Sequence, residues 1–104
     1  MAFSDNLKQL PSAAHLASLQ LIDAQGTVVA TIENKPGQAG SLAVYAALAE
    51  RHGRINAAAA QEGLDIYAEH TADARANPGK HPNIDRLIDL LASGTELTVA
   101  LQAQ

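Results

Sequence analysis

The residues best suited to chemistry are concentrated in segment 67–86. This segment contains two of the four histidines and two of the four prolines, together with charges of both signs. Its composition predicts the end of one helix, a tight loop and the start of another helix. Loops positioned by rigid elements commonly carry binding and catalytic residues. The segment is therefore the predicted site, although it matches no known catalytic or ligand-binding motif.

The sequence PGKHPN at 78–83 is the strongest candidate for a ligand-binding loop. Gly79 permits the close approach of a ligand, and Lys80 and His81 supply hydrogen-bond donors. A helix that starts near Asn83 adds free N–H groups, which suit a small anion such as phosphate or a carboxylate. The same residues also fit a plain connection between two helices, rigidified by its prolines. The candidate ligand-binding residues are Tyr67, His70, Arg75, Lys80, His81 and Arg86.

His70 follows Tyr67 by three residues, on the apolar side of the predicted helix. The pair could line a cleft in which His70 acts as an acid–base group or as a ligand. Alternatively, the imidazole hydrogen-bonds a backbone carbonyl and fills the rim of the core. The four-residue spacing of Asp65, Glu69 and Asp73 predicts that three carboxylates share one helix face, either solvated or answered by a cation.

Several classes of catalytic and metal site find no support in the sequence. The absence of cysteine excludes disulfide bonds, thiolate metal sites and cysteine nucleophiles. The patterns of zinc proteases, serine hydrolases, P-loops and dinucleotide-binding folds do not occur. His15 and His52 are expected near helix termini, facing solvent or interacting with a helix dipole. We therefore predict no catalytic residue, no metal and no cofactor, and we favour a protein that is not an enzyme.

Composition limits the partners and the location. A net charge of −4 with scattered Lys and Arg argues against nucleic acid. No apolar run approaches the ~18 residues that a membrane span needs, and the first residues do not resemble a secretory signal. A chain without cysteine also suits a reducing compartment. We expect no membrane partner and a cytoplasmic location.

Turn residues and apolar periodicity predict one α+β domain spanning residues 1–104, with the order α-β-β-α-α-α-β. The predicted elements are a helix capped by Ser4, strands at 19–22 and 27–32, helices at 41–52, 56–76 and 83–91, and a strand at 96–101. The hairpin and the last strand form a three-stranded sheet packed against helices, with the orientation of the last strand left open. Ser41 and Asn56 are expected to cap helices, and Gly63 indicates a kink or a close approach of another element.

Three stretches of this sequence resemble a small bacterial family. They are Ser41-Leu-x-Val-Tyr-x-x-Leu-Ala-x-Arg-x-Gly-x-Ile55, Tyr67-x-Glu-His-Thr71 and PGKHPNID at 78–85. Together they are similar to the proteins catalogued as domain of unknown function 2322, which have about this length. The resemblance implies a bacterial cytosolic protein without an established activity, and it therefore carries over no functional residue.

Two functions from different classes remain. We favour a non-enzymatic binding or interaction module, because motifs are lacking and the C-terminal strand could leave a sheet edge open to a second copy or to a peptide. A homodimer is expected on this basis. The alternative is a small-anion or acid–base site in the helix-loop-helix segment 67–86, with His70 or His81 moving a proton.

Overall fold

The structure, a computed structural model, describes residues 2–104. These residues form five helices and a three-stranded antiparallel sheet. The elements are α1 (Phe3–Lys8), β1 (Leu16–Ile22), β2 (Val28–Glu33), α2 (Ala39–His52), α3 (Ala57–Tyr67), α4 (Glu69–Ala76), α5 (Pro82–Ser93) and β3 (Thr98–Ala103). The predicted α+β class and element order are confirmed, except that the helix predicted over 56–76 is divided into α3 and α4. Within residues 2–104, no helix is long and apolar enough to cross a membrane.

The predicted hairpin is present, and its turn is fixed by Asp23 and Gly26. The carboxylate of Asp23 accepts the backbone N–H groups of Gln25 and Thr27 at 3.0 and 2.9 Å. Gly26 has a φ of 83°, a left-handed conformation that glycine adopts without steric cost. These contacts close the connection between β1 and β2.

β1 is the central strand of the sheet, and the strand order is β2-β1-β3. Both neighbours run antiparallel to β1, which settles the orientation of β3 that the sequence left open. Leu19 pairs with Ile32 on one side and with Leu101 on the other. Leu19, Leu21 and Ile32 are buried against the helices, whereas Val29 is half exposed. One face of the sheet therefore packs on the helical layer.

Two of the predicted helix caps differ from the structure. α1 begins at Phe3 and α2 at Ala39, and neither has a side-chain cap, so the predicted capping by Ser4 and Ser41 is wrong. The predicted cap of α3 is confirmed, because the Asn56 side chain accepts the Ala59 N–H at 2.9 Å. The Ser41 hydroxyl is instead engaged in a tertiary contact described below.

Ala68 separates α3 from α4 and changes the direction of the chain. It has a φ of 51°, the only positive φ of a non-glycine residue within 2–104. Because of this break, the prediction that Asp65, Glu69 and Asp73 share one helix face is wrong. Asp65 instead accepts a hydrogen bond from the Gln61 side chain at 3.1 Å, and Glu69 accepts the backbone N–H of residue 3 at 2.8 Å.

Gly63 marks the close approach of three helices, one of the two readings that the sequence offered. A Cβ atom at this position would lie 2.6 Å from Cδ1 of Leu87 on α5 and 2.9 Å from Cδ1 of Leu48 on α2. Both leucines are fully buried, so their side chains have no free space into which to move. The absence of a side chain at Gly63 therefore sets the distance of α3 from α2 and α5.

Replacing Gly63 with alanine should lower the free energy of unfolding by about 1 kcal/mol. Overpacking a tight core costs more than the roughly 1 kcal/mol that alanine gains as a helix former. Urea denaturation measures the change, and Gln61→Ala is the control at an exposed position of α3, where a change within about 0.5 kcal/mol is expected. A Gly63→Ala protein as stable as the wild type would contradict the close approach.

Candidate functional site

A cavity of about 400 Å³ opens between the first turn of α2 and the α4–α5 loop, residues 77–81. We call it the α2–α5 cavity. Side chains at its walls come from α1, the ends of α3 and α4, the α4–α5 loop and the first turn of α5. Its volume falls in the range of pockets that hold small molecules.

Four of the six candidate residues line this cavity, namely Tyr67, His70, Lys80 and His81. The other two do not. Arg75 lies at a separate surface depression beside Pro78 and Asp89. Arg86 stands behind the wall, where its guanidinium donates to the Asn83 side chain at 2.8 Å and to the Tyr45 hydroxyl at 3.2 Å. Arg86 thus supports a wall residue, since Asn83 itself faces the cavity.

Aromatic rings form one wall of the cavity. The ring of Phe3 stacks on Tyr67, with centroids 5.1 Å apart and planes at 24°. His70 meets the ring of Phe3 edge-on at 5.1 Å, and its own ring lies 5.8 Å from that of His81. His70 is half-buried, so it fills the rim of the core and also faces the cavity. Both interpretations of His70 therefore describe part of its setting.

Phe3 was missed by the sequence reasoning. It lies far from segment 67–86 along the chain, and no local pattern connects the two. The one available signal was its rarity, because a sequence with a single Phe and no Trp places each large ring where it buries much area.

The hydroxyl groups of Tyr67 and Ser41 form a hydrogen bond across the floor of the cavity. Their hydroxyl oxygens are 2.7 Å apart, and Ser41 belongs to the first turn of α2. Burial, the largest cause, raises the pKa of Tyr67 well above its ordinary value. The phenol therefore stays protonated at neutral pH and acts as a fixed hydrogen-bonding group. It is not suited to move a proton.

Asp73 is the charged partner of the two basic residues of the α4–α5 loop, Lys80 and His81. Its Oδ2 atom lies 2.6 Å from Nε2 of His81 and 2.9 Å from Nζ of Lys80. Its other oxygen accepts from the Asn77 side chain at 3.0 Å. The hydrogen bond from His81, followed by that from Lys80, lowers the pKa of Asp73 to about 2. Asp73 thus fixes the positions of two cavity residues from outside the cavity.

A second carboxylate secures the same loop from α5. Asp85 accepts the backbone N–H of Gly79 at 2.9 Å. Gly79 has a φ of 92°, so the chain reverses here in a conformation that other residues avoid. With Asp73 on α4 and Asp85 on α5, carboxylates from both flanking helices hold the loop. The spacing of these residues along the chain does not predict this arrangement.

The first turns of α2 and α5 also line the cavity. Gly40 and Ser41 belong to the first turn of α2, which has no acidic residue and no side-chain cap. Asn83 lies in the first turn of α5, behind Pro82 at the start of that helix. Early N–H groups of a helix lack partners within it and favour negative charge. The cavity therefore offers uncharged donors in addition to Lys80 and the histidines.

The remaining two histidines lie away from the cavity. His52 is in the last turn of α2, as expected, and its Nε2 atom lies 2.7 Å from a carboxylate oxygen of Glu62. His15 directly precedes β1, so its expected place at a helix end is wrong. Within residues 2–104, no group of three or more His, Asp or Glu side chains is placed to hold a metal ion.

Replacing His81 with alanine should raise the pKa of Asp73 from about 2 toward its ordinary value of 3.8. The native pKa is depressed, so the interaction stabilises the fold above about pH 4 and is lost as the pH falls toward 2. Carboxyl NMR titration measures the pKa. Glu62 is the internal control, because its lowered pKa has the hydrogen bond from His52 as its largest cause and should not respond to His81→Ala. An unchanged pKa of Asp73 would contradict the contact.

Comparison with known proteins gives the family of the chain. No curated protein and no solved structure matches it. One family model does match, over residues 3–101 of the 104, and its description is an uncharacterized protein conserved in bacteria, domain of unknown function 2322. The match includes every wall of the α2–α5 cavity described above. The chain therefore belongs to the bacterial family of domain of unknown function 2322.

Proposed function

We propose that the protein is a non-enzymatic binding domain whose α2–α5 cavity takes a small anionic molecule, with phosphate and simple carboxylates as the closest models. One observation carries the proposal: Tyr67, His70, Lys80 and His81 come from three parts of the chain and line a single cavity with the first turn of α2. A concave site with few convergent polar groups is typical of small-molecule recognition.

The two sides of the cavity suit the two parts of such a ligand. The rings of Phe3 and Tyr67 provide an apolar wall for the body of a small organic acid. Lys80, His81 and the first turn of α2 provide donors for its charged group. The tight contact between Ser41 and Tyr67 keeps the floor in place before a ligand arrives. Such preorganisation lowers the entropic cost of binding.

The ligand has to compete with Asp73 for Lys80 and His81. Lys80 is 60% exposed, so its ammonium can turn from Asp73 to an anion in the cavity at little cost. The carboxylate of Asp73 meanwhile holds the same donors from outside the cavity. Asp73 is therefore an internal competitor that limits affinity and favours ligands carrying more charge than a single carboxylate.

We also infer a cytoplasmic location in bacteria. The family is conserved in bacteria, and the chain contains no cysteine, which suits a reducing compartment.

Lys80→Ala should weaken phosphate binding about tenfold, because a hydrogen bond to a charged group contributes roughly 1.5 kcal/mol. Asp73→Asn should strengthen binding, since it removes the competing charge from Lys80 and His81. Isothermal titration calorimetry with phosphate, acetate and benzoate at low salt measures both effects.

Arg54→Ala is the matched control for Lys80→Ala. Arg54 is likewise a half-exposed cation paired with a carboxylate, Glu96 at 3.1 Å, but it lies away from the cavity. Its removal should leave binding within twofold of the wild type, on the order of 0.4 kcal/mol. Equal losses in both variants would mean that the anions respond only to net charge, and the cavity would then not be the site.

Proton transfer is a second candidate function, and the contact between His81 and Asp73 favours it. A carboxylate that accepts the Nε2 proton of an imidazole leaves Nδ1 as the basic atom and stabilises the protonated ring. Asp73 makes no such contact with His70, whose ring lies 5.8 Å from that of His81. Two neighbouring imidazoles, one of them oriented by a carboxylate, are groups of the kind that proton transfer uses.

If this second function holds, the protein should hydrolyse a reactive ester such as p-nitrophenyl phosphate or p-nitrophenyl acetate, with a bell-shaped dependence on pH. His81→Ala should lower the rate at least 100-fold, in line with the usual contribution of a general acid or base. His15→Ala is the control, because that histidine is exposed and distant from the cavity. Rates that fall equally in both variants, or no turnover above buffer, would exclude proton transfer and leave the binding function standing.

A further inference from the structure

The outer edge of β3 has main-chain groups directed away from the sheet. The main-chain N–H and C=O groups of the even-numbered residues of β3 face β1. The N–H of Gln104, the residue that follows β3, donates to the carbonyl of His15 at 3.0 Å. The main-chain groups of the odd-numbered residues point away from β1, because alternate residues of a strand direct their N–H and C=O groups to opposite sides. Leu97 confirms the direction, since it exchanges hydrogen bonds of 2.9 and 3.0 Å with Ile55 on that side.

After Leu97 this edge has no neighbour within residues 2–104. The sheet ends at β3, so the N–H and C=O groups of Val99, Leu101 and Ala103 point outward with no strand beside them. Protein edges are normally protected by charge, proline or a bulge in the edge strand. β3 contains neither a charged residue nor a proline, because residues 97–104 read LTVALQAQ.

An exposed apolar side chain lies on the same edge. Leu101 is 50% exposed, although its partner in β1, Leu19, is fully buried on the helix-facing side of the sheet. Beside Leu101, a groove of about 390 Å³ runs between the sheet and α2. Small residues of this region, Ala46, Ala49 and Gly53, line it together with His15 and Glu50. Main-chain donors, acceptors and apolar surface therefore coincide along β3.

We propose that this edge binds β3 of a second copy of the chain in antiparallel orientation, so that the two sheets form one continuous sheet. The charge pattern selects a second copy as the occupant. A two-fold axis brings each residue near its own equivalent, so a self-pairing strand must avoid charge close to the axis, as β3 does. The other edge strand, β2, ends at Glu33, which is already paired with Lys35 at 2.7 Å.

The existing contacts also select the register. With the axis at Leu101, Val99 lies opposite Ala103 of the second copy, and each outward-facing position exchanges a pair of main-chain hydrogen bonds. With the axis at Ala100, Ala103 of the second copy would meet Leu97, whose groups are already bonded to Ile55. An axis at Leu101 pairs all three outward-facing residues of β3 with β3 of the second copy, so we place the axis there, and the two Leu101 side chains meet beside the grooves. A single strand edge presents less than the ~800 Å² per partner of a stable interface, so the dimer is reversible.

Sedimentation equilibrium over a wide range of concentration tests the proposal with the full chain. The wild type should shift from monomer to dimer, Leu101→Glu should remain monomeric, and Val29→Glu should dimerise like the wild type. Val29 is the matched control, because it is 49% exposed on the other edge strand. A wild type that stays monomeric, a Leu101→Glu protein that dimerises, or a Val29→Glu protein that does not would each overturn the proposal.

Cysteine cross-linking keeps the proposal testable if Leu101→Glu fails to fold. The natural chain has no cysteine, so a disulfide in a single-cysteine variant can form only between two copies. Strand residues opposite each other are about 5.5 Å apart at Cα, which is within the span of a disulfide. Under mild oxidation, Leu101→Cys should form covalent dimers at least tenfold faster than Val29→Cys. Equal rates would exclude an axis at Leu101.

Discussion

The close contact of three helices at Gly63 is the constraint on which the rest of the structure depends. Leu48 of α2 and Leu87 of α5 both press against α3 at this glycine, where a single methyl group would already collide with them. Along the same helices, toward the α2–α5 cavity, lie Ser41, Tyr67 and the first turn of α5. The distance set at Gly63 therefore determines whether the Ser41–Tyr67 contact forms and how wide the cavity opens. A packing requirement in the core thus becomes a property of the site.

A partly buried polar network connects Tyr45 of α2 to the cavity wall. The Tyr45 hydroxyl donates to the backbone carbonyl of Asn83, and Arg86 contacts both residues. Burial is the largest influence on Tyr45 and raises its pKa to about 12, so its hydroxyl remains a donor. A buried hydroxyl is costly unless it is paired, so these two contacts stabilise the position of the Tyr45 side chain. Arg86, chosen from the sequence as a ligand contact, thus acts on the cavity through Asn83.

The fold could be predicted where local chemistry decides the conformation. Asp23 and Gly26 specify the hairpin turn, Asn56 caps α3, and Gly53 ends α2 in a left-handed conformation, as its position in the sequence predicts. Ala68 could not be foreseen, because alanine favours helix and only the tertiary packing of α4 imposes its positive φ. Ser41 looks like a cap, but its hydroxyl bonds to Tyr67, which is 26 residues away.

The site was predictable in its residue types and less so in its geometry. The histidines and the loop of segment 67–86 predict a site, and four of its six candidate residues line one cavity. Helix periodicity turns Arg75 away, since it lies five residues beyond His70 on α4, about 140° around the helix. Phe3 and the role of Asp73 depend on contacts between distant elements, which composition and spacing do not encode.

The most direct test of the central claim is NMR titration of the four histidine side chains with and without phosphate. Binding in the α2–α5 cavity predicts that the signals of His70 and His81 shift together and give one dissociation constant, while those of His15 and His52 do not respond. Four histidine side chains that titrate independently of one another and show no response to phosphate or simple carboxylates would contradict binding in this cavity.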